Sequence, residues 1–205
     1  MSLVDFLLHL EPHLASFFAA HGATTYGLLA GIIFAETGLV IAPFLPGDSL
    51  LFTAGALSAT TALHPGVLWV LLAAAAIAGD NTNYWIGRFF GARLATSRWV
   101  SHKYLKQAHR FYEEHGPVTI VIARFIPIIR TFAPFVAGIG QMSYLTKFLP
   151  YSIAGGSLWI AIFIFGGYLF GNLPIVQAHF GLVIAAIMVL SVIPAIVEFV
   201  RSRNR

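Results

Sequence analysis

Four charged residues lie inside or beside apolar runs of this 205-residue chain: Glu36, Asp48, Arg124 and Arg130. On insertion scales each charge placed in hydrocarbon costs at least about 2.5–3.5 kcal/mol. Four unpaired charges would therefore cost on the order of 10 kcal/mol, which rivals a whole folding free energy. They must meet one another, water or a ligand. The two acids come from the first half of the chain and the two arginines from the second. A guanidinium offers a permanently charged fork of donors that matches the oxygens of a phosphate. A carboxylate withdrawn from water can take up and release a proton near neutral pH. The quartet thus has the chemistry of a proton-responsive anion site, with Arg124 and Arg130 binding the substrate and Glu36 and Asp48 coupling protons. The same residues also allow a plainer reading, an ion-pair network that only locks the fold, because buried pairs are weak evidence for stability and often serve specificity.

Asp80, Asn81 and Asn83 form a second polar group, near the end of a later apolar run. They pair with an arginine, line an exit path, or simply mark an interfacial helix end. Tyr84, Trp85 and Trp99 read as interface anchors, since aromatic side chains collect at the membrane–water boundary. His102, His109 and His115, with Glu113 and Glu114, have the residue types of a metal site, but their basic neighbours make a solvated helix face the better reading, and no metal is expected. The absence of cysteine removes disulfides, thiolate metal sites and cysteine nucleophiles. No nucleophile elbow, phosphate-binding glycine loop or zinc motif occurs. An intramembrane phosphatase is the least favoured class, because neither a nucleophile nor a metal set stands beside the arginines. No catalytic residue and no cofactor is expected.

The elements that must position these residues follow from composition. The chain is 58% apolar and 10% charged, where a soluble domain carries roughly 25% charged residues. From Phe148 to Val197 there is no Asp, Glu, Lys or Arg. A membrane-crossing helix needs about 20 apolar residues, so this stretch holds two spans, at 147–171 and 174–199, with the turn at Gly171-Asn172-Leu173-Pro174. Another span covers 66–87. Residues 24–63 are apolar but broken at Pro43-Phe44-Leu45-Pro46-Gly47-Asp48, and 117–140 are apolar but interrupted by Arg124, Pro127, Arg130 and Pro134. Irregular backbone at membrane depth is tolerated only where protein buries it or a wet cavity meets it. Both segments therefore read as re-entrant hairpins. Residues 1–22 read as an interfacial amphipathic helix, residues 88–116 as a basic, amphipathic cytoplasmic segment, and 200–205 as a basic tail. The chain is expected to be a single all-α membrane domain over 1–205.

A weak repeat supports pairing the halves. Phe44-Leu45-Pro46 followed by Ala54-Gly55 matches Phe125-Ile126-Pro127 followed by Ala137-Gly138. Gly87-Arg88-Phe89-Phe90-Gly91 matches Gly167-Tyr168-Leu169-Phe170-Gly171. All 12 Lys and Arg lie after residue 87, and basic residues flanking spans stay cytoplasmic. That excludes nucleic acid as the partner of the basic segment. Three spans place the N-terminus outside and the C-terminus in the cytoplasm, so the hairpins enter from opposite sides. Inverted repeats with discontinuous helices are a transporter design. The start of the chain, with Asp5 and Glu11 and no basic residue, does not read as a cleaved signal peptide.

The motifs carry a family resemblance. They are Phe34-Ala35-Glu36-Thr37-Gly38-Leu39, Ala42-Pro43-Phe44-Leu45-Pro46-Gly47-Asp48-Ser49-Leu50-Leu51, Gly79-Asp80-Asn81-Thr82-Asn83-Tyr84-Trp85-Ile86-Gly87-Arg88, Phe111-Tyr112-Glu113-Glu114-His115-Gly116, Ala123-Arg124-Phe125-Ile126-Pro127-Ile128-Ile129-Arg130-Thr131 and Ala133-Pro134-Phe135-Val136-Ala137-Gly138. From about residue 24 to 175 the chain resembles the bacterial DedA family, related to the VTT (SNARE-associated Golgi) domain proteins. The resemblance implies a multi-pass protein of the bacterial inner membrane with two opposed re-entrant hairpins. It implies a lipid flippase, with undecaprenyl phosphate or a phospholipid such as phosphatidylethanolamine as substrate, the proton gradient as drive, and envelope lipid recycling as the process. The family's functional acids match Glu36 and Asp48, and its functional arginines match Arg124 and Arg130. Two other classes stay open: a transporter of a small ion, and a structural or chaperone-like membrane protein whose charges only pair. Association with a second copy is also open, as no small-residue motif decides it.

Overall fold

A helix that is apolar all round belongs in hydrocarbon or in a core, whereas one polar face marks a water boundary. The computed structural model describes residues 23–38, 47–95, 116–183 and 186–187, and every regular element among them is helical. Helix α1 is Ala23–Gly38 and α2 is Gly47–Ser58; α3 is Pro65–Ala95, α4 is Val118–Ala123 and α5 is Pro127–Ile139. A π-helical turn, Tyr144–Phe148, runs directly into α6, Leu149–Phe170, and α7 is Pro174–Ala178. The expected amphipathic helix at 1–22, the proline-rich part of the first hairpin tip, most of the basic segment, the end of the last span and the 200–205 tail lie outside the described residues.

Among the described residues two helices are long and apolar enough to cross a membrane, Pro65–Phe90 with 26 residues and Tyr144–Phe170 with 27. They expose apolar side chains outward, among them Val67, Val70, Phe89 and Phe90 on α3 and Leu158, Ile162, Leu169 and Phe170 on α6. Inward they meet a core of Leu29, Ile33, Leu51, Leu68, Leu72, Ile160 and Ile164. Pro65 opens α3 at the first helical position, where its missing N–H costs nothing. The helix continues eight residues beyond the end expected at Gly87. Arg88 does not stop it, because its guanidinium donates to the Tyr84 hydroxyl at 2.7 Å and lies 5.8 Å from the Trp85 ring. The chain turns at Gly171-Asn172-Leu173-Pro174 as expected, and the following segment is interrupted at His179 before resuming as helix over 180–183.

Proline sets the break in the second half. α4 ends at Ala123, and the chain turns through Arg124 and Phe125 to Ile126, which is extended at φ −121° and ψ 104°. The residue before a proline is pushed away from helical geometry, and Pro127 then restarts the helix as its first residue. In the first half Asp48 sits in the first turn of α2, where exposed N–H groups and the helix dipole favour an anion.

Glycine decides how the helices cross. A Cβ on Gly55 of α2 would strike the Ile164 carbonyl oxygen of α6, and one on Gly167 of α6 would strike the Phe52 carbonyl oxygen of α2. A Cβ on Gly138 of α5 would strike the Tyr84 carbonyl oxygen of α3, and one on Gly87 of α3 the Phe135 carbonyl oxygen of α5. In each case the carbonyl belongs to the residue three positions before the partner glycine. These four glycines are two of the three pairs that the weak sequence repeat equates. The second arm of each broken pair thus crosses the long helix of the opposite half through the same reciprocal contact. Close backbone approach at small residues is a main source of helix association in lipid.

Candidate functional site

Glu36 lies two residues before the end of α1, Asp48 opens α2, and Arg130 lies in the first turns of α5. Folding brings the three together. Arg130 Nη2 donates to Glu36 Oε1, and Arg130 Nη1 donates to Asp48 Oδ1 at 2.8 Å. Glu36 is fully buried, and the Arg130 and Asp48 side chains are 3% and 13% exposed. Gly47 is required beside them, since a Cβ there would strike the Glu36 carboxylate. One guanidinium fork therefore holds a carboxylate from each arm of the first broken pair, in an environment where each ion alone would be costly.

Arg124 takes a different partner. Its Nη2 donates to Asp80 Oδ2, on α3, and the Ser152 hydroxyl on α6 donates to the same oxygen at 2.6 Å. Arg124 and Asp80 are 2% and 1% exposed. The sequence reading left Asp80 an arginine, an exit path or an interfacial helix end; the structure pairs it with Arg124. Asn83 is buried, and its amide donates to the Thr131 carbonyl at 2.5 Å and the Thr37 carbonyl at 3.4 Å. It ties α3 to the residues just after Arg130 and just after Glu36.

Trp159 joins the two groups, and sequence reasoning missed it. Its Nε1–H donates to Asp48 Oδ1 at 2.9 Å. The guanidinium of Arg130 lies 4.4 Å from its ring centroid and that of Arg124 5.8 Å. A desolvated guanidinium over an indole gains about 2 kcal/mol or more, which helps two cations share one neighbourhood. Ser152, Gly155, Gly156 and Trp159 are buried together along α6. A Cβ on Gly156 would come 3.3 Å from Arg124 Nη2, and one on Gly155 3.4 Å from its Cγ. These small residues make the notch that receives Arg124. The available signal was their i, i+3, i+4, i+7 spacing within a run lacking any charge.

The expectation that Tyr84 anchors at the membrane surface is corrected. Tyr84 is fully buried, stacks on Phe148 at 4.3 Å and donates its hydroxyl to the Met142 carbonyl at 2.5 Å. The aromatic ring is consumed by the contact between α3 and the π-helical turn. Trp85 is partly exposed, and Trp99 lies outside the described residues, as do His102, His109, Glu113, Glu114 and His115.

The fold and the cluster define a class: an all-helical membrane protein with ion pairs buried between its helices. Comparison with known proteins narrows it. The VTT domain matches residues 45–169. The chain is 48% identical over 207 residues to Protein DedA of Escherichia coli K12, covering 98% of this chain and 94% of that protein. It is 43% identical over 190 residues to an uncharacterized membrane protein of Mycobacterium tuberculosis, covering 89% and 83%. It is 34% identical over 171 residues to the inner membrane protein YqjA of Escherichia coli K12, covering 82% and 77%. The chain belongs to the DedA family of VTT-domain membrane proteins. No solved structure gives a significant match.

Proposed function

We propose that this protein is a proton-coupled flippase that moves a lipid phosphate, undecaprenyl phosphate or a phospholipid, between leaflets of the bacterial inner membrane in support of envelope lipid recycling. The observation that carries the reading is the Arg130 fork, buried and held by Glu36 and Asp48 from both arms of the opposing half. Those carboxylates occupy the donors that a phosphate would use. The cluster holds three carboxylates against two guanidiniums, one negative charge in excess when all are ionised. A proton on Glu36 cancels the excess and loosens its hold on Arg130, so that an anion can take its place; losing the proton restores the pair and expels the anion. Proton entry and anion exchange are thereby linked at one guanidinium.

The surroundings suit a lipid. Ile122, Phe125, Ile129 and Phe132 are exposed around the break that carries both arginines, which lets an acyl or prenyl chain remain in the bilayer while the headgroup enters. The reciprocal glycine crossings support an inverted repeat of two re-entrant hairpins, and three spans, as the sequence composition implies, put the N-terminus outside and the C-terminus in the cytoplasm. In that arrangement recycling runs from the outer to the cytoplasmic leaflet, in the direction of an inward proton gradient.

The test is leaflet exchange of labelled polyprenyl phosphate and phosphatidylethanolamine in vesicles holding the purified protein, with and without a pH gradient, beside Arg130→Lys. Lysine keeps the charge and loses the fork. Gradient-responsive exchange that falls at least about tenfold in the variant is expected, in line with about 1.5–3 kcal/mol for hydrogen bonds to a charged group. Absence of exchange for both lipids refutes the reading.

A further inference from the structure

The Arg124 pair is built differently from the Arg130 group. Arg130 spends each Nη on a separate carboxylate, leaving its Nε and Glu36 Oε2 buried without a hydrogen-bond partner among the described residues. Arg124 spends only Nη2, and only on Asp80 Oδ2. The same Oδ2 also accepts the Ser152 hydroxyl. Arg124 Nη1 and Asp80 Oδ1 are left buried without a hydrogen-bond partner among the described residues. A side-by-side pairing would have closed both atoms. Instead, one strong donor and one strong acceptor are held ready on a single ion pair. An unsatisfied buried polar group is costly, more so when charged, so the arrangement is expensive unless a ligand completes it.

We infer that Arg124 and Asp80 form a second station of the substrate path, in which Asp80 selects a phosphate that still carries a P–OH. The inference rests on the lipid-phosphate reading above and names the headgroup. Nη1 donates to a phosphoryl oxygen. Oδ1, an acceptor with no proton to give while ionised, accepts from the P–OH. A singly protonated phosphate monoester offers both groups, as does free dihydrogen phosphate. A phosphodiester such as phosphatidylethanolamine has no P–OH and meets Oδ1 with oxygen lone pairs. Ser152 is a positioning residue: its hydrogen bond saturates Oδ2 and keeps Oδ1 turned to the ligand. Trp159 borders both stations, its ring centroid 5.8 Å from the Arg124 guanidinium and 4.4 Å from that of Arg130.

The test measures binding to the purified full chain in detergent at a pH of about 5.5, where a monoester retains one proton on most molecules, its second pKa being about 6. The probes are farnesyl phosphate, inorganic phosphate and dihexanoyl phosphatidylethanolamine. The wild type is expected to prefer farnesyl phosphate to the diester by about tenfold or more, as a site loses affinity when its buried polar group is left unpaired. Asp80→Asn is nearly isosteric and replaces an acceptor with an amide, so it should abolish that preference while retaining binding at Arg130. Ser152→Ala should reduce the preference by a smaller factor, and it covers the case in which Asp80→Asn fails to fold. A mere structural lock would weaken all probes alike. A preference that survives both substitutions, or a wild type that binds monoester and diester equally, overturns the inference and leaves the flippase reading standing. A wild type that binds no probe overturns both. Tighter binding of farnesyl phosphate than of inorganic phosphate assigns the station to a lipid headgroup, and equal binding assigns it to free phosphate; either result supports Asp80 as the reader of the P–OH.

Discussion

Removing Arg130 should reveal how much the fold depends on it. Arg130→Ala leaves the Glu36 carboxylate, 0% exposed, without its guanidinium, and takes a donor from Asp48 Oδ1. Breaking a buried pair from one side costs about 3–5 kcal/mol, mostly because the surviving charge is stranded. Asp48 keeps the Trp159 N–H and is 13% exposed, so most of the loss belongs to Glu36. Adding Glu36→Gln to Arg130→Ala removes the stranded charge while keeping its shape. The double variant should therefore recover about 2–3 kcal/mol relative to the sum of the single changes, against about 0.5 kcal/mol for independent sites. Denaturant unfolding of the purified protein in detergent, followed by tryptophan fluorescence, measures the cycle. If the two substitutions add within about 0.5 kcal/mol, Glu36 and Arg130 do not share a buried pair, and the electrostatic argument built on them fails.

Two further outcomes follow from contacts outside that pair. Gly138→Ala forces a Cβ onto the Tyr84 carbonyl and should destabilise the protein by about 1–3 kcal/mol, whereas Gly31→Ala, with nothing within 4 Å, should be neutral or stabilise by up to about 1 kcal/mol; equal effects in thermal unfolding would remove the glycine crossing from the account. Trp159→Phe keeps a ring under the arginines but loses the N–H to Asp48, and vesicle leaflet exchange should fall about tenfold, the equivalent of about 1.5 kcal/mol for a hydrogen bond to a charged group; unchanged exchange would show that the indole N–H does not position Asp48.

The parts legible in the sequence are those that a bilayer dictates locally. Hydrocarbon penalises every exposed charge and every free backbone group, so long uncharged runs had to be helices, and prolines at 127 and 174 had to start new ones. The same penalty singled out Glu36, Asp48, Arg124 and Arg130, because a charge in such a run is conspicuous whatever its partner. The repeated glycines were visible as letters, and their meaning as two matching crossings was not. The helix that carries the 66–87 span runs on to Ala95, because the cost of Arg88 is met by Tyr84 and Trp85, at most one turn back on the same helix.

Which charge meets which was decided only by the tertiary structure. Pairing depends on where helices cross, and those crossings depend on backbone contacts between residues as distant as Phe52 and Gly167. The sequence offered two acids and two arginines as one set; packing divided them, giving Arg130 to Glu36 and Asp48 and giving Arg124 to Asp80 and Ser152. Trp159 and the glycines before it carry no charge, and their helical spacing names no partner, yet they form the surface on which both arginines rest. Burial in a bilayer announces itself residue by residue along the chain, whereas the complementarity of a site arises from distances between helices that no single run of residues contains.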